Sequence, residues 1–212
     1  DIRYLQNQHQ HNLEKITRQA EKLGATALPF ALYAQGKIAQ QQGDNLKARQ
    51  QLEAAWQQGF QTIESAYALV QVLNTLYQQA LTRVFIMPHG ALRQARQSQL
   101  QQSFVEPIID YLHFIQQPSD EPSGHNINQG HQSTIRALLH YYNKDYDLAI
   151  EQLNGTTQFS PWQYQHYLLL GQNYIAQYQQ LRKPTSTQAQ QLITQAELAF
   201  DKALTIAPSD PN

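Results

Sequence analysis

Histidine is the residue in this sequence with the widest chemistry, because its ring binds metals and transfers protons near neutral pH. The chain of 212 residues contains eight histidines and no cysteine. His9 and His11 are two positions apart, a spacing that does not place both rings on one face of a helix. No two histidines have the i, i+4 spacing of a helical zinc site, and no HExxH motif occurs. The sequence therefore predicts no metal site and no cofactor.

Patterns for phosphate binding and nucleophilic catalysis are missing as well. The segment 124–130 begins and ends with a glycine, as some phosphate-binding loops do. However, no strand pattern precedes this segment and no Lys-Ser or Lys-Thr pair follows it. No GxSxG motif is found. Arg83, Arg93 and Arg96 form a small basic group with too few companions for a nucleic-acid footprint. We expect neither enzymatic activity nor nucleic-acid binding from this stretch of chain.

The composition is nearly neutral and rich in glutamine. The formal net charge is −1 and 15% of the residues are charged, so the chain as a whole has no electrostatic attraction for nucleic acid or acidic lipid. Glutamine makes up roughly one residue in six. The glutamines alternate with apolar residues at helical spacing, and glutamine is a good helix former. We therefore interpret them as solvated helix faces rather than as a disordered tract.

Targeting segments are not recognisable in the sequence. No apolar run is long enough to span a bilayer, and no signal-peptide pattern opens the chain. We expect a soluble protein without direct membrane insertion, located in the cytoplasm, or outside it if a membrane span lies upstream. The sequence begins at Asp1 rather than at a methionine. We interpret it as a piece of a longer protein, with a processed small protein as the alternative.

The elements that must position any functional surface are helices, because apolar residues recur at steps of three and four. Asp44 is the expected N-cap of the second helix of the first hairpin. Pro107 is expected to interrupt or start a helical segment. The predicted order has three parts: 1–116 with a lead-in helix (2–23), a hairpin (29–59) and long irregular helices (63–85, 91–115); a linker over 117–130; and two hairpins over 131–212.

Small residues recur at matching positions in these hairpins. Twelve residues separate Gly36 from Ala48, and twelve separate Ala137 from Ala149. Ala137 lies 101 residues after Gly36, close to three periods of about 34. Because small side chains let two helices cross closely, these positions are the expected crossing points.

The last hairpin carries a fuller motif and an insertion. It reads Tyr167-x2-Leu170-Gly171-x2-Tyr174, then Ala196-x3-Phe200-x2-Ala203-x4-Pro208. Gly171 and Ala196 are 25 residues apart, so about thirteen residues within 177–191 are added relative to the other hairpins. They either form a long loop between the two helices or lengthen both helices.

These motifs resemble the tetratricopeptide repeat (TPR) family, whose unit is a helix–turn–helix of about 34 residues. The resemblance implies an all-α fold, a right-handed helical solenoid of about nine antiparallel helices, here with a degenerate middle section. It also implies that a partner protein or peptide binds in the concave groove of the solenoid.

The groove would be lined by the face of each first helix that lies opposite its packing residues. Tyrosine rings give contact area at low entropy cost and glutamine amides bond peptide backbone, so this face suits an extended peptide. The alternative for any one residue is that it packs against a neighbouring helix. The predicted groove residues are Tyr33, Lys37, Gln40, Gln41, Thr134, Leu138, Tyr141, Tyr142, Gln165, Leu168, Gln172 and Ile175.

A narrower resemblance is to the TPR-containing region that follows the catalytic domain in some bacterial serine/threonine kinases. It is carried by Leu76-Tyr77-Gln78-Gln79-Ala80-Leu81, Leu92-Arg93-x2-Arg96, Glu106-Pro107-Ile108-Ile109-x-Tyr111-Leu112, Ala137-Leu138-x2-Tyr141-Tyr142-x3-Tyr146-Asp147-x-Ala149-Ile150 and Ser160-Pro161-Trp162-x-Tyr164. The resemblance implies a protein-interaction module, the regulatory or docking region of a larger signalling protein. A peptide or small-molecule sensor of the solenoid receptor type is the alternative. This chain has no kinase Gly-rich loop, HRD or DFG motif, so we expect no phosphotransfer from it.

Overall fold

A computed structural model describes residues 28–88, 90–117, 129–159, 163–181 and 186–207, together with positions 11, 15 and 18. These residues form helices and the turns between them, and no strand occurs among them. The predicted all-α fold class is therefore confirmed for the described part of the chain. The predicted linker over 117–130 lies largely outside the described residues. So does the lead-in helix over 2–23, although its three described positions are helical.

The chain divides into two compact units, Asp1–Pro118 and Ser119–Asn212. In each unit, helices that are joined by a turn pack side by side. The first unit contains α1 (Leu28–Gln41), α2 (Asn45–Gln57), α3 (Ile63–Phe85), α4 (Ala91–Leu100) and α5 (Glu106–Gln116). The second contains α6 (Gln129–Tyr142), α7 (Tyr146–Phe159), α8 (Tyr164–Gln180) and α9 (Thr187–Ile206).

Side-chain caps fix where α2 and α3 begin. The Oδ1 atom of Asp44 accepts a hydrogen bond from the N–H of Lys47 at 3.1 Å, so the predicted N-cap is confirmed. At the start of α3, Thr62 and Ser65 exchange side-chain and backbone hydrogen bonds. Both arrangements satisfy amide groups that the first turn of a helix leaves without a partner.

The turns between α1 and α2 and between α6 and α7 have the same hydrogen-bond pattern. The N–H of Gly43 donates to the carbonyl of Gln40 at 3.1 Å, and the N–H of Lys144 donates to the carbonyl of Tyr141 at 3.0 Å. Gly43 and Lys144 both have left-handed backbone conformations, with φ of 77° and 66°. Residues 101 positions apart in the sequence therefore have the same turn geometry.

At the predicted crossing points Gly36 and Gly171, a side chain of the paired helix lies in direct contact with the glycine. A Cβ atom added to Gly36 would lie 2.6 Å from Cγ of Leu52, at the crossing of α1 and α2. One added to Gly171 would lie 2.5 Å from Cε1 of Phe200, at the crossing of α8 and α9. Ala137 is fully buried in the core of the second unit. At these positions the lack of a larger side chain sets the distance between helices.

A π-helical segment, Gln101–Val105, joins α4 to α5. The N–H of Glu106 donates to the carbonyl of Gln101, five residues earlier. Pro107 follows directly; its ring has no N–H and clashes with the carbonyl four residues earlier in a regular α-helix. We attribute the wider turn to this proline. The predicted interruption thus takes the form of a π-helical segment within a helix that continues.

The added residues of the last hairpin mainly lengthen its helices. The helix α8 continues for nine residues after Gly171, whereas α1 continues for five after Gly36. The helix α9 begins nine residues before Ala196, whereas α2 begins three before Ala48. Of the two alternatives for the insertion, a longer pair of helices is therefore the one observed.

Candidate functional site

A chain of polar side chains joins α1 to α3 in the first unit. The Nζ of Lys37 donates to Oε1 of Gln40 at 2.6 Å, and Nε2 of Gln40 donates to Oε1 of Gln71 on α3 at 3.2 Å. Tyr67, one turn before Gln71, is hydrogen-bonded to that amide. Together with Tyr33 on α1, we call these five residues the amide patch.

Lys37 is the charged member of the amide patch and is half-buried. Burial lowers the pKa of its ammonium group, because a less polar environment disfavours the charged form. Among the described residues no carboxylate forms an ion pair with it. The hydrogen bond to Gln40 uses one of the three ammonium donors. A partly desolvated cation of this kind gains more from an anionic ligand than a fully solvated one.

The two tyrosines of the amide patch, Tyr33 and Tyr67, stand one helical turn before Lys37 and Gln71. The ring of Tyr33 lies 4.9 Å from the ring of Phe60 and packs against the core of the first unit. Burial raises the pKa of its hydroxyl, and the carboxylate of Glu64 adds to the shift. Burial also raises the pKa of Tyr67. Both hydroxyls are therefore neutral hydrogen-bonding groups at physiological pH. Gln41, the last predicted residue of this unit, is exposed at the end of α1.

Two predicted groove residues of α6 lie inside the second unit. Thr134 is 8% exposed, and its Oγ1 lies 2.7 Å from Nε2 of His166 on α8, which is 2% exposed. Tyr142 is 6% exposed. Thr134 thus belongs to the contact between α6 and α8, and Tyr142 belongs to the core. For these two residues the prediction is corrected, because Thr134 contacts a neighbouring helix and the side chain of Tyr142 is buried.

The remaining predicted residues of the second unit lie at its surface or partly below it. Gln165 is exposed, whereas Leu138, Tyr141, Leu168, Gln172 and Ile175 are half-buried. Leu138 and Tyr141 pack against the core of the unit, and the ring of Tyr141 lies 5.8 Å from that of Tyr146. This surface is mainly aromatic and aliphatic, in contrast to the hydrogen-bonded amide patch of the first unit.

Tyr67 and Gln71 are functional candidates that the predicted groove omits. They stand 34 positions after Tyr33 and Lys37, so the repeat period alone identifies them. The repeat register of α3 is hard to recognise in the sequence, because α3 lacks the small residue that the first helices of the other hairpins have at the equivalent position. At the position 34 residues after Gly36 the chain has a valine.

The amide patch can bind through hydrogen bonds and one positive charge. Among the described residues, no three His, Cys, Asp or Glu side chains come together as a metal site. Amide side chains both donate and accept hydrogen bonds, as each residue of a peptide backbone does. The arrangement therefore suits a peptide segment that carries an acidic group. No helix within the described ranges has the length and apolar character needed to cross a bilayer.

The sequence matches no protein-family model, and no curated protein matches it.

Proposed function

We propose that this chain is a protein–protein interaction module of the TPR type, and that it is the regulatory or docking region of a larger bacterial signalling protein such as a serine/threonine kinase. Support comes from glycines at close helix crossings and from matching turns 101 residues apart. Under this proposal the helical hairpins stack as a right-handed solenoid, and the first helix of each hairpin faces the groove.

The amide patch is the observation that carries the proposal. Tyr33 and Tyr67 occupy equivalent positions of α1 and α3, 34 residues apart, and so do Lys37 and Gln71. Peptide backbone needs donors and acceptors in alternation, which neighbouring glutamine amides supply. The tyrosine rings provide contact area that loses little entropy on binding, and Lys37 favours an acidic residue of the partner.

Selection of random peptides on the immobilised protein tests the proposal. Peptides that bind the wild type are expected to lose about tenfold in affinity with Lys37→Ala or Gln71→Ala, because each change removes a hydrogen-bonding group. Lys47→Ala is the matched control, since this lysine is exposed on α2 outside the amide patch. Affinity is measured by calorimetric titration. Selected peptides that bind Lys37→Ala, Gln71→Ala and Leu168→Ala as tightly as the wild type would contradict the groove assignment.

The sensor alternative has its own test. A screen of small molecules by thermal unfolding detects ligands that bind the native state, because such ligands raise the melting temperature. The sensor is favoured over the docking module if a compound raises the melting temperature by several degrees and the peptide selection yields no binding peptide.

A further inference from the structure

Two large apolar side chains protrude where α3 connects to α4. Ile86, the C-cap of α3, is 84% exposed, and Leu92, near the start of α4, is 74% exposed. Within the described ranges these are the two most exposed large hydrophobic side chains. The helix α4 buries Leu100 and is otherwise largely open to solvent. Single exposed apolar residues are ordinary, so these two are of interest only because basic residues lie close to them in the sequence.

The same region carries charge of one sign. Residues 65–105 include Arg83, Arg93 and Arg96 but no aspartate or glutamate. Arg83 and Arg96 are exposed, and Arg93 is half-buried. The flanking acidic residues, Glu64 and Glu106, lie about 33 and 21 Å along the helices from the apolar pair at 1.5 Å per residue. The end of the α3–α4 pair is therefore locally cationic in a chain whose net charge is −1.

We propose that this end of the helix pair docks on the surface of an anionic lipid bilayer. We call its five residues, Ile86, Leu92, Arg83, Arg93 and Arg96, the basic apolar tip. At such a surface, isoleucine and leucine enter the boundary between headgroups and acyl chains, while arginines stay among the phosphates. The proposal is independent of peptide binding at the amide patch.

The chemistry of the tip favours a bilayer over other anionic partners. An acidic amphipathic helix binds in a groove between helices, whereas these apolar side chains lie at the end of a hairpin. A nucleic acid has phosphates for the arginines but no acyl region for Ile86 and Leu92, and specific binding to it uses more basic residues. A bilayer supplies both phosphates and an apolar layer.

Binding by the tip is weak and reversible. Each arginine at an anionic surface increases the partition coefficient about fivefold. A single short apolar element does not anchor a protein, and stable attachment takes a second signal. The tip alone therefore gives a weak but measurable partition onto anionic vesicles, which a second contact would strengthen.

Sedimentation of the chain with vesicles tests the proposal. We expect binding to vesicles of phosphatidylglycerol and phosphatidylcholine, little binding to phosphatidylcholine alone, and release at high salt. Arg83→Gln, Arg93→Gln and Arg96→Gln combined should reduce the partition coefficient about a hundredfold. Ile86→Ser with Leu92→Ser should reduce it about tenfold. The controls are Arg136→Gln, at an exposed arginine of α6, and Leu204→Ser, at a 60% exposed leucine of α9, which should leave it unchanged.

A fluorescence measurement gives a second readout that does not depend on affinity. Because the chain has no cysteine, Leu92→Cys provides a single site for a polarity-sensitive fluorophore. Its emission should shift to shorter wavelength on phosphatidylglycerol vesicles, and the same label at Leu204→Cys should not shift. The proposal is overturned by an absence of vesicle binding, by binding that the tip variants retain in full, or by an RNA duplex that binds more tightly than the vesicles. Any of these results would leave the peptide-binding proposal intact.

Discussion

A Cβ atom on Gly171 would lie 2.5 Å from Cε1 and 2.7 Å from Cζ of the Phe200 ring, so the crossing of α8 and α9 has no room for a side chain there. Gly155 on α7 is different, since nothing lies within 4 Å of such an atom. Both glycines are in helices, where glycine is less favourable than alanine by about 0.5–1 kcal/mol. Alanine substitutions at these two glycines therefore separate the effect of helix packing on stability from the effect of helix propensity.

Alanine at these two positions should change stability in opposite directions. We expect Gly171→Ala to lower the free energy of unfolding by about 1–3 kcal/mol, because the Phe200 ring must move out of its position. Gly155→Ala should raise it by about 0.5–1 kcal/mol, because it removes only the entropy cost of glycine. Urea unfolding followed by circular dichroism measures both. If Gly171→Ala is as stable as Gly155→Ala, the two helices do not cross closely at this position.

Much of the fold follows from local patterns in the sequence. The spacing of Gly36 and Ala48 predicts a close crossing, and the structure has Gly36 against Leu52. Asp44 predicts a helix start, and its carboxylate caps α2. These predictions are accurate because each depends on residues within one hairpin, where chain connectivity already brings the helices together.

Predictions that depend on neighbouring hairpins are less accurate. The sequence assigns Thr134 to an open face, yet it bonds to His166, 32 residues away. A helix has several faces, and which of them contacts the next hairpin depends on the rotation between hairpins. That rotation is not encoded in the spacing of small residues. The omission of Gln71 has a similar origin, because Val70 takes the position that marks the register elsewhere.

Lys144 adopts the conformation that glycine has in the equivalent turn. Its φ is 66°, a left-handed value that costs a residue with a Cβ atom roughly 1–2 kcal/mol. Its side chain is exposed. Lys144→Gly should therefore raise the free energy of unfolding by about 0.5–1 kcal/mol, after allowance for the greater entropy of glycine in the unfolded chain.

The reciprocal change at the first turn is the matched test of this strain. Gly43→Ala should lower the free energy of unfolding by about 1 kcal/mol, because alanine disfavours the φ of 77° that Gly43 has. No atom lies within 4 Å of an added Cβ, so the effect comes from the backbone conformation and not from a clash. Both variants are compared by thermal and urea unfolding. If neither Lys144→Gly nor Gly43→Ala changes the free energy of unfolding, the left-handed conformation costs a residue with a Cβ atom nothing at these two turns.

The hydrogen bond between Thr134 and His166 should contribute to the stability of the second unit. Thr134→Val keeps the shape of the side chain but removes the hydroxyl 2.7 Å from Nε2 of the buried ring. We expect a loss of about 1–3 kcal/mol, because a buried polar group then loses this partner. Thr134→Ser retains the hydroxyl and should lose less. A Thr134→Val variant as stable as the wild type would show that the ring nitrogen finds another partner without cost.

Tyr111 should make stability depend on pH in the alkaline range. Burial beside Trp56 raises the pKa of its hydroxyl to about 12, with the carboxylates of Glu53 and Asp110 adding to the shift and the guanidinium of Arg49 opposing it. A tyrosine in the unfolded chain titrates near pH 10. Between these values the folded state binds more protons than the unfolded state, so the contribution of Tyr111 is fully present below about pH 10 and is lost as the pH rises towards 12.

Because the side chain is only partly buried, solvent screening reduces the expected effect to about 1 kcal/mol. Tyr111→Phe keeps the ring contact with Trp56, 5.0 Å between centroids in the wild type, and removes the titrating group. Urea unfolding of both proteins at about pH 9 and about pH 11 measures the difference. The wild type should lose about 1 kcal/mol more than Tyr111→Phe between the two pH values, and the comparison cancels other tyrosines that titrate in this range. Equal losses in the two proteins would mean that the Tyr111 hydroxyl has the same pKa in the folded and unfolded states.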